Sequence, residues 1–541
     1  MAATIHTGKV IGRQRLYLDA LYDPDRTGLF FHWPHPTKAA FEACARRLAH
    51  PSVSRETASA MLVRQNREWG APPEAIASAE SLRQPGAVCV FTGQQAGLFS
   101  GPLYTIHKAV TLLNWRKNLE KILKRPVVPV FWIASDDHDF EEIRWTALPD
   151  LQNQVRRLVL DIPDLAPRTP AAQIKLGPDI ERVLRELWEA QIATEFTPGL
   201  AEALADDYLP SRTMSDAFGR WMTRLFGRSG LVMFNPSDPE AKALAAPLVA
   251  EEIEGHALTA SALAEIDQRL EESGYHRQVE HPEGHIQVFH IAEGRHAIRT
   301  DGGHLWTDPE GTPLDLSVWQ QRLRDQPSAF SPGVLFRPVV QSYLFPVLAA
   351  VCGPSEISYW AQSRALFDRF SQTMPVVLPR LSATIVEKKI ESSIKTLGHE
   401  VSEFFGDVEA LINKHFEESF PSDIEARFEA ERQDTIARLA KLKDIVVAFE
   451  PTLDKTFEVD AGKIESAWDH LEKKVFQAHK RKGDEIRARF YKLAVHLHPD
   501  GRPQERVFGI VYYLNKYGMG FVDRTIEQMS VDSRDHRIIS P

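Results

Sequence analysis

Residues 87–144 constrain this chain more than any other stretch. Two apolar runs, 87–91 (AVCVF) and 127–134 (VVPVFWIA), are short, rich in β-branched or aromatic side chains and bounded by turn residues. Strands covered on both faces have this pattern. Between them, 104–123 is long enough for a helix, and Ile106, Val110, Leu113, Leu119 and Leu123 fall mostly at helical spacing. Strand, glycine-rich turn, helix, strand is a βαβ unit, which predicts a parallel sheet with a right-handed crossover.

The turn leaving the first run is Thr92-Gly93-Gln94-Gln95-Ala96-Gly97, and Ser100-Gly101-Pro102 opens the helix. Glycine permits positive φ and close backbone approach. Proline suits the first helical turn, where its missing N–H costs nothing. Free N–H groups and the helix dipole there favour an anion. The motif is neither GxGxxG nor GxxxxGKS/T, so neither the dinucleotide fingerprint nor the P-loop applies. After the second run comes Ser135-Asp136-Asp137-His138-Asp139-Phe140-Glu141-Glu142. In open α/β sheets ligands bind beyond the carboxyl ends of the strands, so the site is expected between the glycine turn and this carboxylate–imidazole cluster. A glycine-rich turn also serves as a plain tight connection, and an acidic run after a strand as a helix N-cap with solvated charges.

These residues carry a resemblance. The motifs TGQQAGxxxGPLYTxxKA and PVVPVFWIAxDDHDFExI, and farther on RPVVQ at 337–341, GPxEIxYWAQ at 353–362 and PVVxPRxSAT at 375–384, closely resemble the bacillithiol-biosynthesis cysteine-adding enzyme family, BshC. The resemblance implies an α/β protein: a Rossmann-like parallel-sheet core similar to the nucleotidylyltransferase superfamily and class I aminoacyl-tRNA synthetases. Two connecting insertions and a long coiled-coil domain associated with dimerisation complete the implied plan. It further implies addition of L-cysteine to the amine of glucosaminyl-malate, giving bacillithiol. At neutral pH an amine and a carboxylate form a salt, not an amide, so the carboxylate needs activation as an acyl-adenylate or acyl-phosphate. ATP or another adenine nucleotide, with Mg, is therefore a chemical expectation. The HxGH signature of those synthetases is absent: Gly101-Pro102-Leu103-Tyr104 stands at the helix start, and His107 does not restore the pair. No KMSKS-like loop is evident, although Lys388 and Lys389 follow the last expected strand.

Under this reading, backbone amides around Thr92, Gly93, Gln94, Gln95, Gly97 and Gly101 hold a phosphate or the malyl carboxylate, with Tyr104 beside them and Lys108 adding charge one turn on. Asp136, Asp137, His138 and Asp139 supply a base for the sugar amine or coordinate a hard cation. Arg337 and Arg380 suit bidentate carboxylate contacts, and Glu356 the cysteine ammonium. Gln341, Gly353, Tyr359, Trp360 and Ser382 complete the candidate binding set. Asn515, Lys516 and Tyr517 form a candidate second nucleotide site, or belong to a helix that docks on the core. Two other functions stay open: a nucleotidylyltransferase acting on another small acid, and a nucleotide-binding coiled-coil scaffold without turnover.

The chain has 541 residues and a formal net charge of −10, which argues against a nucleic-acid partner. No apolar run reaches the ~20 residues that cross a membrane, and the start has no apolar signal core. Its three cysteines, Cys44, Cys89 and Cys352, are far apart, so no disulfide framework is implied. Cys44 and Cys352 read as packing groups. A cytoplasmic protein is expected. The expected division is 1–149, a helical segment and first half of the core; 150–210, a first insertion of polar helix and turns; 211–270, core; 271–325, a β-rich second insertion; 326–385, second half of the core; 386–500, antiparallel coiled coil; and 501–541, a segment docking on the core.

Within these, 230–234, 334–341, 348–351 and 375–380 read as strands and 359–370 as a helix. Residues 275–279 and 286–291 alternate as strands, with a turn at 301–304. His276, His281, His285 and His290 lack a tight ligand pair and read as surface histidines rather than a zinc site. From Val386, apolar residues repeat at three- and four-residue steps in three arms, 386–411, 424–449 and 457–493, with Pro451 between the last two.

Overall fold

The computed structural model describes residues 4–12, 14–301, 304–307, 311–419, 422–481 and 483–541. Gly302 and Gly303 of the expected 301–304 turn lie outside the described residues. The central sheet is built from β1 (Val88–Gln94), which leads into helix α1 (Tyr104–Leu123), and β2 (Val127–Ile133). β3 (Val232–Phe234) precedes the long helix α2 (Pro239–Glu272). β4 (Val347–Cys352), helix α3 (Pro354–Arg369) and β5 (Val376–Pro379) complete it.

All four pairings are parallel and the order is β5-β4-β1-β2-β3. The chain builds outward from β1 on one side, then returns to the other side of β1. This is the doubly wound Rossmann order, with its switch point between β1 and β4. β1 and β2 are in register from Val88 opposite Val127 to Gln94 opposite Ile133. Every residue of β2 is buried, as expected of a strand covered on both faces. Phe91, Trp132, Phe234 and Phe345 interlock beneath the sheet, with ring centroids 4.9–5.1 Å apart.

Several expectations need correction. Residues 334–341 are not a strand. A three-residue strand, Phe330–Pro332, precedes them, and Arg337–Leu344 is a helix. Pro338 sits in its first turn, where proline is tolerated, and Val339, Val340 and Leu344 face the core. Residues 275–279 are not a strand either. The antiparallel sheet there is Leu314–Asp315, His304–Thr307, Arg295–Asp301, His285–Ile291 and Phe330–Pro332, in spatial order. The first connecting stretch holds a hairpin, Trp145–Pro149 against Val155–Val159, before its helices. α3 begins at Pro354, not at Tyr359.

The chain divides into two compact units, 1–387 with 502–541, and 388–501. In the first, the tail closes on the start: His536–Ile539 pairs with Thr4–Ile5 and with Ala383–Ile385. In the second, Ser422–Phe449 and Asp454–Arg481 form an antiparallel helical hairpin. Arg432 pairs with Asp469 at 3.0 Å, Lys443 with Glu458 at 2.8 Å, and the rings of Phe428 and Trp468 meet edge-on at 5.9 Å. The expected first arm, 386–411, is broken into Lys388–Leu397, Val401–Phe405 and Val408–Glu418. Gly398, at φ +74°, ends the first piece. Among the described residues, no helix is long and apolar enough to cross a membrane.

Candidate active site

A cleft of about 460 Å³ opens beyond the carboxyl ends of β1, β2 and β4, at the switch point of the sheet. Gly93, Gln94 and Gln95 enter it from β1, and Trp132, Ala134, Asp136, Asp137 and Glu142 from β2 and the turn after it. Gly353 to Glu356 bring in the positive end of α3, joined by Tyr104, Lys108, Arg337, Tyr359 and Arg380. Sequence reasoning missed three charged or aromatic contributors: Phe289 and Arg295 come from the antiparallel sheet, and Arg506 from the tail. Glu142 belongs to the expected acidic cluster, where it has no expected role of its own.

Lys108 ties the strand ends together. Its ammonium donates to Gly93 O at 2.6 Å and Gln94 Oε1 at 2.8 Å, and lies 2.6 Å from Glu356 Oε2. Glu356 in turn accepts the Gly353 N–H at 2.6 Å and closes the first turn of α3. Burial lowers the Lys108 pKa, against the pull of Glu356. Both charges are thus matched internally, and neither stands free as a phosphate or ammonium contact. Arg380 is likewise matched: Glu505 accepts from it at 2.6 and 2.9 Å, and also from His107 at 2.8 Å and Ala383 N at 3.2 Å. Burial alone would raise the Glu505 carboxyl, yet Arg380 and His107 hold it well below the usual range.

The acidic turn divides by function. Asp136 Oδ2 meets Lys242 Nζ at 2.6 Å and its Oδ1 accepts from Ser237 Oγ at 2.6 Å. Lys242 also donates to Phe330 O at 2.9 Å. Asp136 is therefore a tie from the sheet to α2. Asp139 caps the short helix Phe140–Ile143 through Glu142 N at 3.1 Å, and it is exposed. His138 does not line the cleft; its Nδ1 lies 3.5 Å from Arg295, and burial and that guanidinium lower its pKa. Asp137 remains in the cleft, accepting from Gln95 Nε2 at 2.7 Å and His138 N at 2.7 Å. Glu142 stands at the rim, open to solvent on one side. Its carboxyl is raised by partial burial and by Asp139 and Asp137, with Gln95 opposing.

Two guanidiniums in the cleft have neutral holders. Arg295 donates to Ser331 Oγ at 2.9 Å and Pro332 O at 2.8 Å, and lies 3.9 Å from the centre of the Phe289 ring. Arg337 donates to Gln341 Oε1 at 3.0 Å and Tyr359 OH at 2.9 Å, and faces the Trp132 ring at 5.6 Å.

The remaining sequence candidates lie elsewhere. Thr92 is buried and bonds Val351 O at 2.9 Å, joining β1 to β4. Gly97 packs on Gly101: a Cβ there would stand 2.9 Å from Gly101 Cα. The expected anion nest at the start of α1 is filled by the tail, because the Leu103 N–H donates to Phe508 O at 2.8 Å and Pro102 pairs with Gly509. Gln341 is buried behind Arg337. Trp360 is buried against Phe367, and Ser382 bonds His536 Nδ1 at 2.7 Å. Neither reaches the cleft. Asn515 bonds Ile192 O at 3.0 Å and Thr197 Oγ1 at 2.7 Å, while Lys516 and Tyr517 converge on Glu387 at 2.9 and 2.8 Å. That patch is an internally satisfied polar cluster rather than an open nucleotide site. His281 pairs with Asp267 at 2.5 Å, and His290 packs between Trp319 and Phe330.

Comparison with known proteins agrees with this architecture. The family model described as Bacillithiol biosynthesis BshC, N-terminal Rossmann-like domain, matches residues 3–381, and that of the BshC C-terminal coiled-coil domain matches 383–541. Curated relatives bearing the name "Putative cysteine ligase BshC" include the protein of Salinibacter ruber, 34% identical over 97% of this chain and 96% of its own length. Those of Symbiobacterium thermophilum, 33% identical over 90% of each chain, and Prosthecochloris aestuarii, 31% identical over 95% of this chain and 93% of its own, share the name. With both domain models matched in order and the parallel sheet and helical hairpin present, the chain belongs to the BshC family of bacillithiol biosynthesis.

Proposed function

We propose that this protein is a cysteine ligase, joining the carboxylate of L-cysteine to the amine of glucosaminyl-malate in the cleft at the sheet's switch point. The observation that carries the reading is the charge left unmatched there. Once Lys108, Asp136 and Arg380 are paired internally, Asp137, Glu142, Arg295, Arg337 and Arg506 remain along the walls of the cleft, with Arg295 near enough to Asp137 to act on it through space. A substrate bearing both an ammonium and carboxylates complements such walls, and a cleft of about 460 Å³ suits small molecules.

Asp137 and Glu142 would hold the sugar ammonium, and the raised Glu142 carboxyl suits it to accept a proton, leaving the neutral amine to attack. A nucleoside triphosphate would supply activation of the cysteine carboxylate. Its phosphates would meet the guanidiniums that line the cleft, because the Leu103 N–H at the start of α1 is bonded to Phe508 O and the Gly353 N–H at the start of α3 to Glu356. Among the described residues, no group of three or more His, Cys, Asp or Glu is placed to hold a metal ion. Mg would therefore arrive on phosphate oxygens, with at most one or two carboxylates from the protein. We place the protein in the cytoplasm and propose a homodimer through the helical hairpin, on which Ile445, Phe449 and Val459 are exposed.

The test is direct. Purified protein is incubated with glucosaminyl-malate, cysteine and Mg-ATP, with ATP omitted in parallel, and the thiol product is followed by mass spectrometry. ATP-dependent product is expected, and release of AMP or ADP names the intermediate. Pyrophosphate release without cysteine dependence would instead indicate a nucleotidylyltransferase. Nucleotide binding without turnover of any substrate set would indicate a scaffold.

A further inference from the structure

Lys242 is a buried ammonium to which the proposed reaction gives no part. It stands near the start of α2 and does not line the cleft, so it acts on a ligand only through other residues. Its two acceptors come from distant parts of the chain, Asp136 Oδ2 at 2.6 Å and Phe330 O at 2.9 Å. Each begins the support of a charge that lines the cleft. Asp136 is followed by Asp137, the carboxylate proposed for the sugar ammonium. Phe330 opens the strand Phe330–Pro332, whose next two residues hold Arg295 through Ser331 Oγ at 2.9 Å and Pro332 O at 2.8 Å. The main chain joins the same two supports through residues 168–171, with Ala171 N donating to Asp137 O at 2.8 Å and Arg295 N to Arg168 O at 2.9 Å.

Stability does not account for this lysine. Two charges withdrawn from water lose about as much hydration as their attraction returns, and an apolar pair of similar volume is often as stable. The packing also leaves room: a cavity of about 20 Å³, enough for a water, borders Lys242, Ala245 and Val340. An apolar side chain would fill that space but could not direct two acceptors. An ammonium carries three donors and no acceptor. Ser237 Oγ donates to the other oxygen of Asp136 at 2.6 Å, so both oxygens of that carboxylate are held. Asp136 acts through space on Lys242 and on Arg295 alike. The three charges thus form one coupled group.

We infer that Lys242 is a positioning residue that sets the separation of Asp137 and Arg295, and through it the cleft's preference for a ligand carrying an ammonium and a carboxylate together. The choice of ligand rests on the proposed reaction; the separation itself does not.

The experiment uses the full chain as wild type, Lys242→Gln and Lys242→Arg. Calorimetric titration with glucosaminyl-malate is compared with titration with its analogue in which a hydroxyl replaces the amine. Stoichiometry reports the folded fraction, and the ratio of affinities reports the site. Wild type is expected to prefer the amine by about 30-fold, the scale of a charge-assisted contact. Lys242→Gln, which shortens the reach and removes the charge, is expected to bind at full stoichiometry with that preference cut to about threefold or less. Lys242→Arg, which keeps the charge and several donors, should restore most of it. Crystal structures of wild type and Lys242→Gln without ligand read the separation of the Asp137 carboxylate and the Arg295 guanidinium directly, and a shift of about 1 Å is expected. The positioning role is overturned if the two structures agree in that separation, if the preference survives in Lys242→Gln, if both ligands weaken by the same factor, if Lys242→Arg binds no better than Lys242→Gln, or if Lys242→Gln does not fold. A wild type without preference for the amine, together with a shifted separation in Lys242→Gln, would overturn the proposed reaction and leave the positioning role standing.

Discussion

Lys108 shows how a residue's type can be informative while its role is not. Its position one turn into α1, beside a glycine turn, suggested a phosphate contact. The structure gives its ammonium three partners instead, from β1 and α3. Replacing it strands a partly buried carboxylate and two acceptors, so Lys108→Met is expected to lose about 3 kcal/mol of stability in urea unfolding. The double variant Lys108→Met/Glu356→Gln should lose less than the two single changes summed, because each single change leaves a partner unpaired. Glu505 makes a pH-dependent case. Its carboxyl is fully buried and held well below the ordinary range by Arg380 and His107. A depressed folded pKa adds stability that is present above the unfolded value of about 4.3. That stability is lost as pH falls from there through the folded value. Melting temperatures followed downward from pH 6 should therefore fall in wild type, and Glu505→Gln, already weaker at pH 6, should show a shallower fall.

At the scale of elements, the glycine turn and the long helix carry distinct constraints. Gly97 and Gly101 touch backbone to backbone, and Gly101 has φ +64°. A methyl group at Gly97 has no flexible neighbour to displace, so Gly97→Ala is expected to destabilise by more than about 1 kcal/mol. The readout is the urea midpoint. In α2, Glu252 lies just before the break at Gly255, and accepts from Thr259 Oγ1 and from Gln287 N at 3.0 Å. Burial pushes its carboxyl up to about 7. A raised folded pKa means that stability is full below the unfolded range and declines as pH rises through about 7. Glu252→Gln should remove that decline and stabilise the protein at pH 8 by about 2 kcal/mol, with little effect near pH 4. Thermal melts across pH decide it. Elements also show where reading by pattern fails. The run Val339-Val340 within RPVVQ has too few residues to display a period, and the proline before it is as compatible with a helix start as with a strand edge. The break of the expected first coiled-coil arm was visible as Gly398, but the apolar spacing on either side continued through it.

For the whole molecule, the tail is part of the catalytic unit although the hairpin unit separates it in sequence from the rest. Residues 502–541 supply Glu505 to Arg380, Phe508 to the start of α1, Arg506 to the cleft and a strand between Thr4–Ile5 and Ala383–Ile385. A chain ending at residue 501 is therefore expected to leave Arg380 buried without its carboxylate and to be insoluble or unfolded by circular dichroism. Replacing 422–481 with a short glycine–serine linker should preserve the folded sheet. The sequence alone determined the parallel βαβ core, the family and the helical character of 422–481. These rest on short-range patterns: continuous apolar runs, turn residues and helical periodicity. The tertiary structure decided which charges face the cleft. Asp136 is matched by Lys242, Arg380 by Glu505 and Lys108 by Glu356, while Arg295 arrives from the antiparallel sheet and Arg506 from the tail. Each partner lies far away in the chain, and a charge's availability depends on what stands within a few ångströms of it, which no local pattern records.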